Sequence, residues 1–136
     1  MAEFNSIGLV GRPGHSGVVD TLRRLLAFLS AKDLTIFVDD LTAELIPGHG
    51  QKQCTRNELS KFCDLVIVVG GDGSMLNVAK FVASDQVPVL GINRGRLGFL
   101  TDILPDELEE GITAVLDGNY SVDSRFLLDV VARPNS

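Results

Sequence analysis

Five consecutive apolar residues, Leu65-Val66-Ile67-Val68-Val69, run without a break into Gly70-Gly71-Asp72-Gly73-Ser74. A strand with one wet face alternates apolar and polar side chains, whereas an unbroken β-branched run fits a strand covered on both faces. That reading places 65–69 at the centre of a parallel sheet with helices above and below it, the arrangement of stacked βαβ units. Parallel neighbours need crossover connections long enough to hold a helix, and the rest of the chain supplies them. Ile7-Gly8-Leu9-Val10 reads as a first strand. After the loop Gly11–Gly17, the residues Val18, Leu22, Leu25, Leu26 and Leu29 follow the spacing of one helical stripe.

The second strand is Leu34–Val38, ending at Asp39-Asp40, and a short helix over Leu41–Ile46 is stopped by Pro47-Gly48. The polar stretch Gly48–Asn57 has no periodicity and reads as a mobile surface loop, with a helical turn opening at Asn57–Ser60. Beyond the glycine motif, Met75, Val78, Ala79 and Val82 mark a helix. Val87–Ile92 is a fourth strand, and Pro88, which cannot donate to a ladder, belongs at its start or on an edge. Asn93–Leu100 reads as a loop with an extended end. A helix then runs from about Pro105 to Asp117, with Asp106, Glu107, Glu109 and Glu110 near its positive end and Gly118 as its stop. Tyr120–Ala132 reads as one long strand in which Phe126, Leu128, Val130 and Ala132 alternate with Arg125, Leu127, Asp129 and Val131. Such a strand, with no sequence-adjacent partner, leaves an exposed edge. The expectation is that the natural protein continues and that this strand opens a second domain. The expected fold class is therefore α/β: a three-layer Rossmann-like parallel sheet with flanking helices, plus the first strand of a β-rich C-terminal domain.

Composition narrows the function classes. With 136 residues and 45 % apolar content the chain can build one real core, and two full domains exceed its length. No apolar run exceeds five residues, too short to span a bilayer, and Met1–Asn5 lacks the basic and apolar regions of an export signal. The net charge is −6 with no basic cluster, a poor match to duplex nucleic acid, where phosphate neutralisation dominates affinity. A small phosphorylated ligand remains open, because backbone dipoles supply positive potential locally. Cys54 and Cys63 fit neither a disulfide framework nor a zinc site, and read as reduced thiols of a cytoplasmic protein, one buried and one in a loop.

The chemistry concentrates in two segments. Gly70, Gly71 and Gly73 let the backbone turn sharply and present bare N–H groups, including those near Ser74, to an anion at the start of the following helix. No Lys-Ser/Thr pair follows, so this is not a Walker A loop. Asp72 is the informative residue, because a carboxylate among phosphate-binding amides repels its ligand unless it has another task. It can accept a proton from an attacking hydroxyl, hold a phosphate-bound Mg²⁺, or simply cap the helix together with Ser74. The second segment, Gly91-Ile92-Asn93-Arg94-Gly95-Arg96-Leu97-Gly98-Phe99, follows the next strand and so opens on the same carboxyl edge. Arg94 and Arg96 are closely spaced cations there, and Phe99 offers a flat face or a core side chain. Arg12 lies on that edge too and can meet a phosphate or stay in solvent. Gly11, Gly14 and Gly17, with Asp39-Asp40 ending the second strand, imitate a dinucleotide fingerprint but lack its Gly-x-Gly-x-x-Gly spacing. His15 and His49 read as surface residues.

The two segments together resemble bacterial NAD kinases. The likeness runs through Gly70–Leu76 with Ala79, then Gly91–Asp102, and includes Ile7–Pro13 and Tyr120…Leu128, so it covers nearly the whole chain. The Gly-Gly-Asp-Gly element alone is shared with diacylglycerol, sphingosine and phosphofructokinase relatives, whereas the 91–102 block is particular to NAD kinases. The resemblance implies transfer of the ATP γ-phosphate to the adenosine-ribose 2′-hydroxyl of NAD, with Mg²⁺ or another divalent cation. It implies Asp72 as proton acceptor, Asp72 and Gly73 as NAD contacts, and Phe99 against the dinucleotide. Gly71, Ser74, Arg12, Asn93 and Arg96 complete the expected nucleotide-binding set. It further implies a cytoplasmic homo-oligomer, a dimer or tetramer, without nucleic-acid or membrane partners. Residues 1–119 would form the nucleotide-binding domain and 120–136 the start of the second. The family's NAD-gripping Asn-Glu or Asn-Asp pair is absent from 126–136, so these 136 residues alone are expected neither to bind NAD well nor to turn over. A lipid- or sugar-kinase domain and a non-catalytic dinucleotide-binding module are the alternatives.

Overall fold

The computed structural model describes residues 4–12, 17–70, 78, 80, 87–93, 102–103, 108–117, 120–122 and 128–130. Six parallel strands form one sheet in the order β3-β2-β1-β4-β5-β6. They are β1 (Ser6–Gly11), β2 (Thr35–Asp39), β3 (Lys52–Cys54), β4 (Leu65–Gly70), β5 (Val89–Asn93) and β6 (Asp102–Ile103). The helices are α1 (Val18–Ser30), α2 (Asp40–Ala43), α3 (Leu59–Phe62) and α4 (Leu108–Leu116), with a 3-10 turn at Arg56–Glu58.

The unbroken run behaves as its composition requires. β4 is buried along its whole length between β1 and β5. Leu65, Ile67 and Val69 pack with Leu22, Leu25 and Leu29 of α1 and with Ile112 and Val115 of α4. Val66 and Val68, pointing the other way, pack with Leu59, Val78 and Val89. The alternation of side chains across a strand thus divides one apolar run between two cores, and the three-layer α/β expectation holds. The sheet is sewn at its opposite end by Asp64, whose carboxylate accepts the N–H groups of Asn5 at 2.9 Å and Ser6 at 3.1 Å.

Two glycines are dictated by geometry. Gly17 opens α1 at φ 84°, the left-handed region that side chains disfavour, and its carbonyl accepts the N–H of Thr21 at 3.0 Å. At Gly11 a Cβ would stand 2.6 Å from Cδ1 of the fully buried Leu22, so α1 can lie this close to β1 only over a bare backbone.

The structure corrects several local expectations. Gly48–Asn57 is not wholly loop: Lys52–Cys54 forms β3, paired to β2 through Phe37↔Lys52, Val38↔Gln53 and Asp39↔Cys54. A short edge strand keeps Lys52 and Gln53 in solvent, so no apolar period announces it. Cys54 is consequently buried in β3 rather than placed in a loop, Cys63 is buried at the end of α3, and both are free thiols. Tyr120–Ala132 is not one strand but contains two, β7 (Tyr120–Val122) and β8 (Leu128–Val130), paired antiparallel. A period of two is indifferent to strand count, and Asp123-Ser124, both turn-forming types, were the available signal. β6 was also unannounced, since two residues carry no pattern. Pro88 precedes β5, as its missing N–H demands, and its carbonyl accepts from Val66 at 3.1 Å.

Candidate functional site

The first connection runs from β1 through α1 to β2, on one side of β1, and the chain later returns to lay β4 on its other side. Between β1 and β4 the order therefore reverses. In open α/β sheets the carboxyl edge at such a reversal is a crevice in which ligands bind. Three strands end there in step. Gly11 of β1 is in register with Val69 of β4, and Gly70, the last residue of β4, pairs with Asn93, the last residue of β5. Arg12, the next residue after β1, donates its N–H to the Val69 carbonyl at 3.1 Å, which sets Arg12 beside Gly70. Arg12, Gly70 and Asn93 thus form a row across the edge, about 4.8 Å per strand. The Arg12 side chain is exposed.

Of the expected site residues, the structure brings Arg12 and the backbone of Asn93 to this edge. Gly71, Asp72, Gly73 and Ser74, and likewise Arg96 and Phe99, lie outside the described residues, as do Arg94 and His15. What is described is where the glycine motif begins: at Gly70, the end of the central strand, at the reversal point.

A polar network behind the edge was not foreseen. β1 and β2 stay paired only as far as Leu9↔Val38, because the chain turns into α2 at Asp40. The buried N–H of Gly11 is thereby left without a strand partner on that side, and it donates to Thr42 Oγ1 at 2.9 Å. Thr42 in turn donates its own N–H to Asp39 Oδ1 at 3.1 Å, the N-cap of α2. Asp39 Oδ2 accepts from Arg56 Nε at 3.0 Å and forms an ion pair with a second guanidinium nitrogen, also at 3.0 Å. Asp39 is 1 % exposed and Thr42 is fully buried. The sequence signalled part of this: Thr55-Arg56-Asn57-Glu58 has the spacing of a capping box, and Thr55 N–H donates to Glu58 Oε1 at 2.9 Å. The acid at the end of β2, where dinucleotide oxidoreductases hold a ribose, is here enclosed and occupied. That agrees with setting the imitation fingerprint aside.

The thiols offer no nucleophile. Burial first, then the nearby Glu58, Asp39 and Asp40 charges, push Cys54 up to about 11. Burial, then Cys54 and Asp64, push Cys63 up to about 12. His49 is half-buried and accepts the Gln51 N–H on Nδ1 at 2.9 Å, a local turn contact. Among the described residues no helix is long and apolar enough to cross a membrane.

The family model for the ATP-NAD kinase N-terminal domain matches residues 7–120. This chain belongs to the NAD kinase family. It is 56 % identical over 133 residues to the NAD kinases of Pseudomonas putida (strain W619) and Azotobacter vinelandii, covering 98 % of this chain and 45 % of each relative. The chain thus spans less than half the length of these curated relatives. The fold is similar to that of yeast NADH kinase, crystallised in complex with NADH, with a TM-score of 0.74 at 20 % identity over 88 % of this chain and 45 % of that one.

Proposed function

We propose that this chain is the nucleotide-binding part of an NAD kinase that transfers the ATP γ-phosphate to the 2′-hydroxyl of the adenosine ribose of NAD, yielding NADP. The observation that carries the reading is the position of the glycine motif, which begins where the central strand meets the reversal of strand order. In this reading the amides of Gly71, Gly73 and Ser74 face phosphate oxygens. Asp72 accepts the proton of the 2′-hydroxyl as the new P–O bond forms and the γ-phosphorus parts from its bridging oxygen, releasing ADP, and Asn93, Arg96 and Phe99 flank the dinucleotide. Transfer of this kind depends mainly on positioning and charge neutralisation, which a rigid strand end supplies. A divalent cation, Mg²⁺ above all, would neutralise charge on the transferred group. Among the described residues no three acidic, His or Cys side chains cluster to cage an ion.

Residues 1–119 form the nucleotide-binding unit and 120–136 open a second, β-rich unit. The separate β7–β8 sheet supports that division. The full-length protein works as a cytoplasmic dimer or tetramer. The test is NADP formation by the purified full-length protein from ATP, NAD and Mg²⁺. Asp72→Asn lowers kcat by roughly two to four decades, the usual yield of a general base. Absence of NADP refutes the activity, and a near-normal rate in the variant removes Asp72 from its role. These 136 residues alone are expected to form no NADP, which the same assay reads.

A further inference from the structure

The four described arginines differ in what their side chains meet. Arg23 reaches the Pro47 carbonyl at 3.5 Å, Arg24 holds Glu109 through two hydrogen bonds at 2.9 and 2.6 Å, and Arg56 holds Asp39 at 3.0 Å. Arg12 alone has no side-chain partner among the described residues, although it is exposed in a chain of net charge −6 with acids to spare. Its backbone, by contrast, is held firmly. The Arg12 N–H is bound to Val69, and Gly11 before it is bound to the buried Thr42 hydroxyl. An exposed arginine with no side-chain partner among the described residues, on a backbone fixed at its root, thus follows the end of β1 next to Gly70, where the glycine motif begins. Arginine matches phosphate geometry with parallel N–H donors and keeps its charge at any working pH.

We infer that Arg12 is a phosphate-binding residue of this crevice, its guanidinium engaging the phosphate chain of a bound nucleotide. The chemistry recognised is a polyphosphate, which either the triphosphate donor or the pyrophosphate of the dinucleotide can supply. This inference rests on the nucleotide reading proposed above, yet its test does not need turnover. Calorimetric titrations of the full-length protein with inorganic tripolyphosphate, ATP and NAD are compared for wild type, Arg12→Ala and Arg12→Lys. The expected result is a loss of at least tenfold in affinity for tripolyphosphate in Arg12→Ala, smaller in Arg12→Lys, with Tm unchanged. A parallel loss for ATP but not NAD assigns the contact to the donor, and the reverse assigns it to the dinucleotide. Unchanged affinity in Arg12→Ala, or no tripolyphosphate binding by wild type, overturns the inference. If tripolyphosphate binding falls as expected but wild type forms no NADP, the phosphoryl-transfer reading fails while the phosphate contact stands. If NADP forms and Arg12→Ala binds normally, the contact alone fails.

Discussion

Replacing Asp39 with alanine is the most informative perturbation of the fold, because one buried carboxylate serves two elements at once. Its Oδ1 caps α2 through Thr42, and its Oδ2 receives Arg56. Loss of an N-cap costs about 1 kcal/mol, and loss of a hydrogen bond to a charged group about 1.5–3 kcal/mol. The arginine left behind keeps 23 % of its side-chain surface in water and so is not a fully buried orphan, which argues against the larger penalties of a stranded interior charge. The sum is about 2.5–4 kcal/mol, a large share of the ~5–15 kcal/mol that holds a typical domain together. In Tm that is roughly 10–15 °C for a domain of this size. Urea unfolding followed by far-ultraviolet circular dichroism measures it, with the slope against urea unchanged. Asp39→Asn keeps a capping oxygen and loses the ion pair, so its cost falls to roughly half. An Asp39→Ala, Arg56→Met double-mutant cycle should show coupling of about 1 kcal/mol or more. A cost below ~0.5 kcal/mol for Asp39→Ala, within the range of an ordinary surface change, would refute the reasoning.

The remaining predictions concern backbone and thiols. Gly17→Ala forces a side chain into the left-handed conformation at φ 84° and should cost about 1–2 kcal/mol, read from the same unfolding curves. At pH 8 the native protein should resist alkylation by iodoacetamide at both thiols, whereas denatured protein reacts promptly, as peptide mass mapping will show. Because Cys63 binds its proton more tightly folded, up to about 12, its contribution to stability is complete below the unfolded value near 8.5 and declines as pH rises toward 12. Cys63→Ala should flatten the loss of stability across that alkaline window, measured by unfolding at stepped pH. An unchanged slope would show that the thiol does not titrate with folding.

Long apolar patterns were legible and short polar ones were not. Leu65–Val69 announced a central strand, and Val18 to Leu29 announced α1, because each has enough residues to establish a period. The strand Lys52–Cys54 escaped because an edge strand of three residues shows solvent two of them and buries one. The reversal of direction after Val122 escaped because alternation carries no sign of strand direction. At the site, the start of the glycine motif at the end of the central strand was legible, and the row formed by Arg12, Gly70 and Asn93 followed only once register was known. Thr42 was invisible. Nothing in Leu41-Thr42-Ala43 marks a hydroxyl that will stand in for a missing strand, since the need arises from β2 departing its neighbour two residues before β1 ends.

That departure links stability to the proposed chemistry. The crevice at a reversal of strand order opens where the connections of two neighbouring strands leave in opposite directions, here β1 and β4, and on its far side β1 loses β2 after Leu9, which strips the ladder from its last amide. Here the stripped amide is Gly11, and the Thr42–Asp39–Arg56 chain replaces what the ladder would have given it. A buried amide left unmade costs about 1–3 kcal/mol, so without such a substitute the end of β1 would be the first place to fray. Fraying there would move Arg12 away from Gly70, because only the Val69 carbonyl would still hold it. The network is remote from the glycine motif in sequence, and it nonetheless fixes one wall of the edge on which phosphoryl transfer is proposed to occur. On this account a variant such as Asp39→Asn should weaken polyphosphate binding in proportion to its loss of stability. Arg12→Ala should weaken binding with no loss of stability at all, and that contrast separates the residue that meets the ligand from those that hold it in place.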